Sequence, residues 1–149
     1  MCGISFTYCS SKLNKKTKID INQLYFKIFN SLKKNKLDAK YILENSIRYK
    51  ADSNFLAFFR SKDERMIVKK LIQLLKKNIH KDKKLLSDSI WFFEEELNNR
   101  YKFVKKFLNK KHYYSESVII FYRTLNSILN SINIQEIRGR DSMGLFLNI

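Results

Sequence analysis

Glycine is scarce in this chain, with only Gly3, Gly139 and Gly144 among its 149 residues, and proline is missing altogether. Glycine serves where the backbone needs a positive φ or a close approach. Its confinement to the two ends predicts special backbone there and none between. A Gly-rich loop of the kind that cradles phosphates is absent. Cysteine occurs twice, as Cys2 and Cys9. That count excludes a disulfide framework and predicts a reducing, cytoplasmic setting, with Cys9 structural. The two histidines, His80 and His112, are too far apart for a local zinc motif and have no cysteine pair beside them, so no metal or other cofactor is expected. No apolar run approaches the ~20 residues of a spanning helix. The first residues also lack the basic-then-apolar pattern of a secretory signal.

Acidic residues are in short supply. Fourteen Asp and Glu stand against 30 Lys and Arg, a net charge of +16. Such a balance suits an anionic partner. The missing proline and abundant Lys, Asn and Ile fit AT-rich codon drift equally well, and the lysines are spread through every predicted helix. Neither a membrane nor a nucleic acid is therefore the expected partner. The class that competes with an enzyme is a basic all-helical module binding nucleic acid or an anionic membrane surface.

What is present is apolar periodicity. Ile4, Phe6 and Tyr8 alternate with polar residues, which predicts a strand over 3–9. From Asp20, a candidate N-cap, Ile21, Leu24, Tyr25, Ile28, Phe29 and Leu32 recur at helical spacing. A second helix is predicted after Asp38 with Ile42, Leu43 and Ile47 inward, and a short aromatic one capped by Ser53. Longer helices follow over 62–79 and 87–109, the latter with Trp91, Phe93, Leu97, Tyr101, Val104, Phe107 and Leu108 as its apolar set. A last helix from Ser115 to Ile134 leads to an apolar second strand, 144–149. Two strands alone are marginal, so either they pair with each other over the helices or the chain is the front part of a longer α+β protein, and the second is the expectation.

Cys2 carries the chemistry. If Met1 is removed, Cys2 presents a thiol and a free α-amine on one residue. A thiol reacts as thiolate, with a free pKa of about 8.5, and an α-amine titrates at about 7.7–8.0. Nucleophile and base are then combined near neutral pH. The other acidic residues, Asp63, Glu64, Glu94, Glu95 and Glu96, lie in lysine-rich helices and are expected to form surface i,i+4 pairs.

Met1-Cys2-Gly3-Ile4 and Arg138-Gly139-Arg140-Asp141-Ser142-Met143-Gly144 together resemble the class II, N-terminal-nucleophile glutamine amidotransferases. These open with Cys-Gly-Ile and place Arg-Gly-x-Asp and a further glycine between a helix and a strand. Within the family, the Asp-Ser-x-Gly ending is most similar to the isomerising glutamine–fructose-6-phosphate aminotransferases. Asparagine synthetases more often carry Arg-Gly-Pro-Asp, and amidophosphoribosyltransferases Arg-Gly-Gln-Asp-Ala. The resemblance implies an α+β fold: residues 1–9 and 115–149 would begin the glutaminase domain, with two strands and one helix, and 10–114 would be a helical insertion.

The resemblance also implies roles. Cys2 would attack the side-chain amide of glutamine. Gly3 would let the substrate approach the backbone. Arg138 would either favour the thiolate or brace the turn. Gly139 would end the helix, Asp141 and Ser142 would bond the turn's amides, and Gly144 would open the strand. Ammonia would pass to a synthase domain that aminates a sugar phosphate, without a metal, in a protein that is a homo-oligomer when complete. The Arg-Trp pair, Asn-Gly pair and Asp with which the family binds glutamine have no counterpart through Ile149, so the fragment alone is expected to be inactive.

Overall fold

The computed structural model describes residues 18–108 and 114–137. Among the described residues seven α-helices follow one another: α1 (Ile21–Lys33), α2 (Ala39–Arg48), α3 (Asp52–Arg60), α4 (Lys62–Lys77), α5 (Lys83–Trp91), α6 (Asn98–Phe107) and α7 (Glu116–Ile137). A 3-10 turn, Ile79–Lys81, joins α4 to α5, and a π-helical segment, Phe92–Leu97, joins α5 to α6.

The expected α+β class is corrected by this architecture. The chain is mainly helical, and there is no strand among the described residues. Apolar residues from Lys18 onward recur at helical spacing, so each segment buries one stripe against another helix. The two expected strands, 3–9 and 144–149, lie outside the described residues.

Short polar side chains set the helix starts. Asp20 accepts from the amides of Asn22 and Gln23, Asp38 from Tyr41, Ser61 from Glu64 and Asp82 from Leu85. Each satisfies donors that a helix leaves open at its N-terminus. Ser53 does not cap α3, because the helix already begins at Asp52 with Ala51 ahead of it. The last expected cap holds: Val118 N donates to Ser115 Oγ at 3.4 Å.

The C-terminus of α1 closes with a Schellman turn. Lys36 N donates to Ser31 O at 2.9 Å and Asn35 N to Leu32 O at 3.0 Å. Against the expectation of no special backbone between the terminal glycines, Asn35 takes φ 55°, the left-handed conformation that asparagine tolerates better than most residues.

Packing joins the helices around one core. α1 lies on α4, α2 on α5, α3 on α4 and α7, and α6 on α7. Tyr49, Phe55, Phe58, Leu71, Leu75, Leu86 and Phe93 are among its buried members. Truncating one such side chain to alanine typically costs about 2–5 kcal/mol. Asn54 is buried too, but satisfied: it accepts from Ile19 N at 2.8 Å and donates to Arg48 O at 3.3 Å. That pair ties the entry of α1 to the α2–α3 corner.

Two predicted faces are corrected. On α2, Ile42 is buried, Leu43 is half-buried and Ile47 is 52% exposed, while Ser46 and Tyr49 are buried. Ser46 can be buried because its hydroxyl donates to Ile42 O at 2.8 Å. In the long helix, Trp91 and Phe107 are 58% and 51% exposed. That helix begins at Lys83, ahead of the expected residue 87, and the π turn resets its register. A π turn holds more residues than an α turn. α5 can therefore face α2 and α4 while α6, continuous with it, faces α7.

No helix among the described residues is long and apolar enough to cross a membrane.

Candidate functional site

Every residue to which the resemblance gives a role lies outside the described residues: Cys2, Gly3, Arg138, Gly139, Asp141, Ser142 and Gly144. What is described is α7, the helix that leads into Arg138, and the way it is held.

α7 is rich in apolar residues and needs more than its own propensity to be positioned. Ile119 and Ile120 are buried in the core, and the ring of Tyr122 stacks on Phe107 of α6 at 5.5 Å and 13°. Arg60 at the end of α3 pairs with Glu116 at 2.8 Å and also reaches Tyr114 O at 3.5 Å. Glu116 stands in the first turn of α7, where a carboxylate complements the helix dipole. About two turns further on, the Arg123 guanidinium donates to the Asp52 carboxylate and to Lys50 O, with its Cζ 5.0 Å from the centre of the Phe55 ring. A planar, forked donor suits this threefold engagement in a way that lysine does not.

Beside this clasp, Glu96 of the π segment collects cations. Its carboxylate lies 3.0 Å from Lys50 Nζ and 2.8 Å from an Arg100 guanidinium nitrogen. Glu96 and Arg100 are largely covered, at 13% and 19% side-chain exposure. The corner between α2, α3, the π segment, α6 and α7 is thus a nearly neutralised charge cluster. The space between these side chains, about 10 Å³, holds no more than a water molecule. Its geometry fixes helices and leaves no room for a substrate.

A second polar pair spans α2 and α4. Tyr49, wholly buried, donates its hydroxyl to Glu64 Oε2 at 2.5 Å. Burial raises the tyrosine pKa well above its usual range, and the Glu64 carboxylate raises it further. The phenol is a fixed donor.

A cleft of about 500 Å³ opens between α4 and the segment from Glu94 to Asn98. Val68 and Ile72 form its floor, and Arg65, Lys69, Gln73 and Lys76 lie around it. Two of these cations are already engaged. Arg65 donates to Phe58 O and Phe59 O at 2.8 and 2.7 Å, and Lys76 pairs with Glu94 at 2.7 Å. The polar part of its lining is three cations, the amides of Gln73 and Asn98, and the Glu94 carboxylate.

The carboxylates are thus more varied than surface pairs along one helix. Glu96–Arg100 follows the i,i+4 rule, and Glu95 accepts from Asn99 at 2.9 Å. Glu64 and Glu94 instead reach other helices. The sequence contains one signal for Glu64: Ser61-Lys-Asp-Glu64 has the capping-box pattern, in which the glutamate would turn back to its own helix start. No local pattern announces the Arg123–Asp52 clasp, whose partners are far apart in the chain. His80 is exposed in the turn after α4, and His112 lies outside the described residues. Among the described residues, no three His, Cys, Asp or Glu side chains gather as a metal site would.

Neither a protein-family model, nor a curated protein, nor a solved structure matches this chain.

Proposed function

We propose that this chain supplies the nucleophile of a glutamine-dependent amidotransferase. The observation that carries this reading is the pairing of Cys2-Gly3-Ile4 with Arg138-Gly139-Arg140-Asp141-Ser142-Met143-Gly144, the second motif following directly on α7.

The chemistry follows from the groups on Cys2. With Met1 removed, the α-amine accepts the thiol proton and the thiolate sulfur attacks the side-chain carbonyl carbon of glutamine. The tetrahedral intermediate collapses as the carbon–nitrogen bond breaks. The amine's proton goes to the leaving group, releasing ammonia and a γ-glutamyl thioester. Water then cleaves the thioester to give glutamate and regenerate the thiol. The ammonia aminates a sugar phosphate, fructose 6-phosphate in the isomerising branch that the Asp-Ser-x-Gly ending favours. Arg138 acts near the thiolate, and Asp141 and Ser142 hold the turn.

The test uses the gene product as encoded, with whatever follows Ile149. Intact mass should show loss of Met1, and glutamine hydrolysis should vanish in Cys2→Ala. Retention of Met1, or hydrolysis that survives Cys2→Ala, overturns the reading.

A further inference from the structure

Folding collects lysines that the sequence disperses. Lys34 and Lys36 belong to the turn that ends α1, Lys77 to the last turn of α4, Lys81 to the 3-10 turn, and Lys83 and Lys84 to the first turn of α5. All six are exposed. One contact brings the two stretches of chain together: Lys81 Nζ donates to Asn35 Oδ1 at 2.5 Å. The packing of α1 on α4, and of the 3-10 turn on α4 and α5, joins them into one end of the molecule. Asp38 and Asp82, which adjoin these turns, each accept a backbone amide as N-caps, and Asp88 follows Lys84 by one turn of α5.

Helix stability explains only part of this cluster. Cations near the C-termini of α1 and α4 complement the helix dipoles. Lys83 and Lys84 sit at an N-terminus, where the dipole disfavours them, and α5 has no acidic residue in its first turn. Two cations therefore stand against the dipole, beside four others, in a cluster that helix stability does not account for.

We propose that this basic end binds the phosphate backbone of nucleic acid without regard to sequence. The side chains fit that partner. Lysine carries a compact charge on a flexible stem, suited to following phosphates and unsuited to reading base edges. The apolar residues of the two turns, Leu37 and Ile79, pack against the core, so this end offers no anchor for a bilayer or for an apolar protein interface. This binding is independent of the Cys2 chemistry.

The test is binding of the full chain to a labelled double-stranded oligonucleotide of mixed sequence, across a salt series. Two variants of equal net charge are compared: Lys34, Lys36, Lys83 and Lys84 to Gln, and Lys62, Lys69, Lys102 and Lys106 to Gln. The first should lose affinity, and its plot of log K against log salt should flatten by about 3.6, or about 0.9 per lost phosphate contact. The second should retain most of the affinity and the slope. Arginine at the first four positions should keep binding, which separates lost charge from lost folding. Equal weakening in both variants, no binding by the unmodified chain, or binding to phosphatidylserine vesicles but not to the oligonucleotide would each overturn the proposal.

Discussion

The hydroxyl of Tyr49, at the end of α2, donates to the Glu64 carboxylate in the first turn of α4 across 2.5 Å. Glu64 stands where a capping box would turn it back to Ser61. Ser61 N instead donates to Ala57 O at 2.9 Å, which leaves the carboxylate for the phenol. Tyr49→Phe should therefore destabilise the protein by about 1–3 kcal/mol, because it strips a half-buried carboxylate of its donor. Urea denaturation at neutral pH measures this.

The same pair predicts a pH dependence. Burial and Glu64 raise the folded-state pKa of Tyr49 above the unfolded value of about 10. The unfolded chain then releases a proton that the folded chain retains. The stabilisation is complete below pH ~10 and declines above it, by about 1.4 kcal/mol per pH unit for this one group. The measured quantity is the difference between the unmodified protein and Tyr49→Phe. That difference should shrink as pH rises above about 10. A gap that stays constant to pH 11 would contradict the assignment.

The Arg123 clasp should behave asymmetrically. Asp52 is 40% exposed on its side chain, so its ion pair with Arg123 falls near the range of surface pairs, about 0–1 kcal/mol. Arg123 itself is only 11% exposed and also donates to Lys50 O. Arg123→Met removes both contacts and should cost more than Asp52→Asn. A double-mutant cycle should yield a coupling energy well below the full loss in Arg123→Met. Amide exchange in α7 should accelerate in Arg123→Met, since this residue ties the helix to the α2–α3 corner.

Much of the helical body is legible in the chain: the caps at Asp20 and Asp38 and the stripe Ile21, Leu24, Ile28 follow from local chemistry. α2 shows where that stops. Ile47 is apolar and one turn from Leu43, yet it is exposed, and Ser46 takes the buried position. Hydrophobicity ranks isoleucine above serine. The stripe Ala39, Ile42, Ser46, Tyr49 wins because Tyr49 needs Glu64 and fixes the rotation of the helix. The π segment is illegible for a related reason: its register depends on what α5 and α6 pack against. The candidate chemistry rests on two short motifs at the chain ends, legible only as a resemblance. The basic end is invisible at sequence level because its two parts meet only in the fold.

The α2 correction is testable. Ile42→Ala should cost about 2–5 kcal/mol as a buried truncation. Ile47→Ala should change stability by no more than about 0.5 kcal/mol, as surface substitutions do. Comparable losses at the two positions would return Ile47 to the core.

Lys83 and Lys84 place function and stability in opposition. At the first turn of α5 a carboxylate is favoured and an ammonium disfavoured, by about 0.3–1 kcal/mol per charge at low ionic strength. Lys83→Glu and Lys84→Glu should each stabilise the protein by about that amount in urea denaturation at low salt. The gain should fade as salt is added, because the Debye length contracts to about 8 Å at physiological ionic strength. Oligonucleotide binding should fall in the same variants. Asp82→Ala should act in the opposite direction on stability, losing about 1 kcal/mol with the bond from Leu85 N. It should also tighten oligonucleotide binding, because it removes the one carboxylate between Lys81 and Lys83. A protein stabilised by the two glutamates and weakened in binding by them keeps its lysines for a partner; one whose binding is indifferent to them does not.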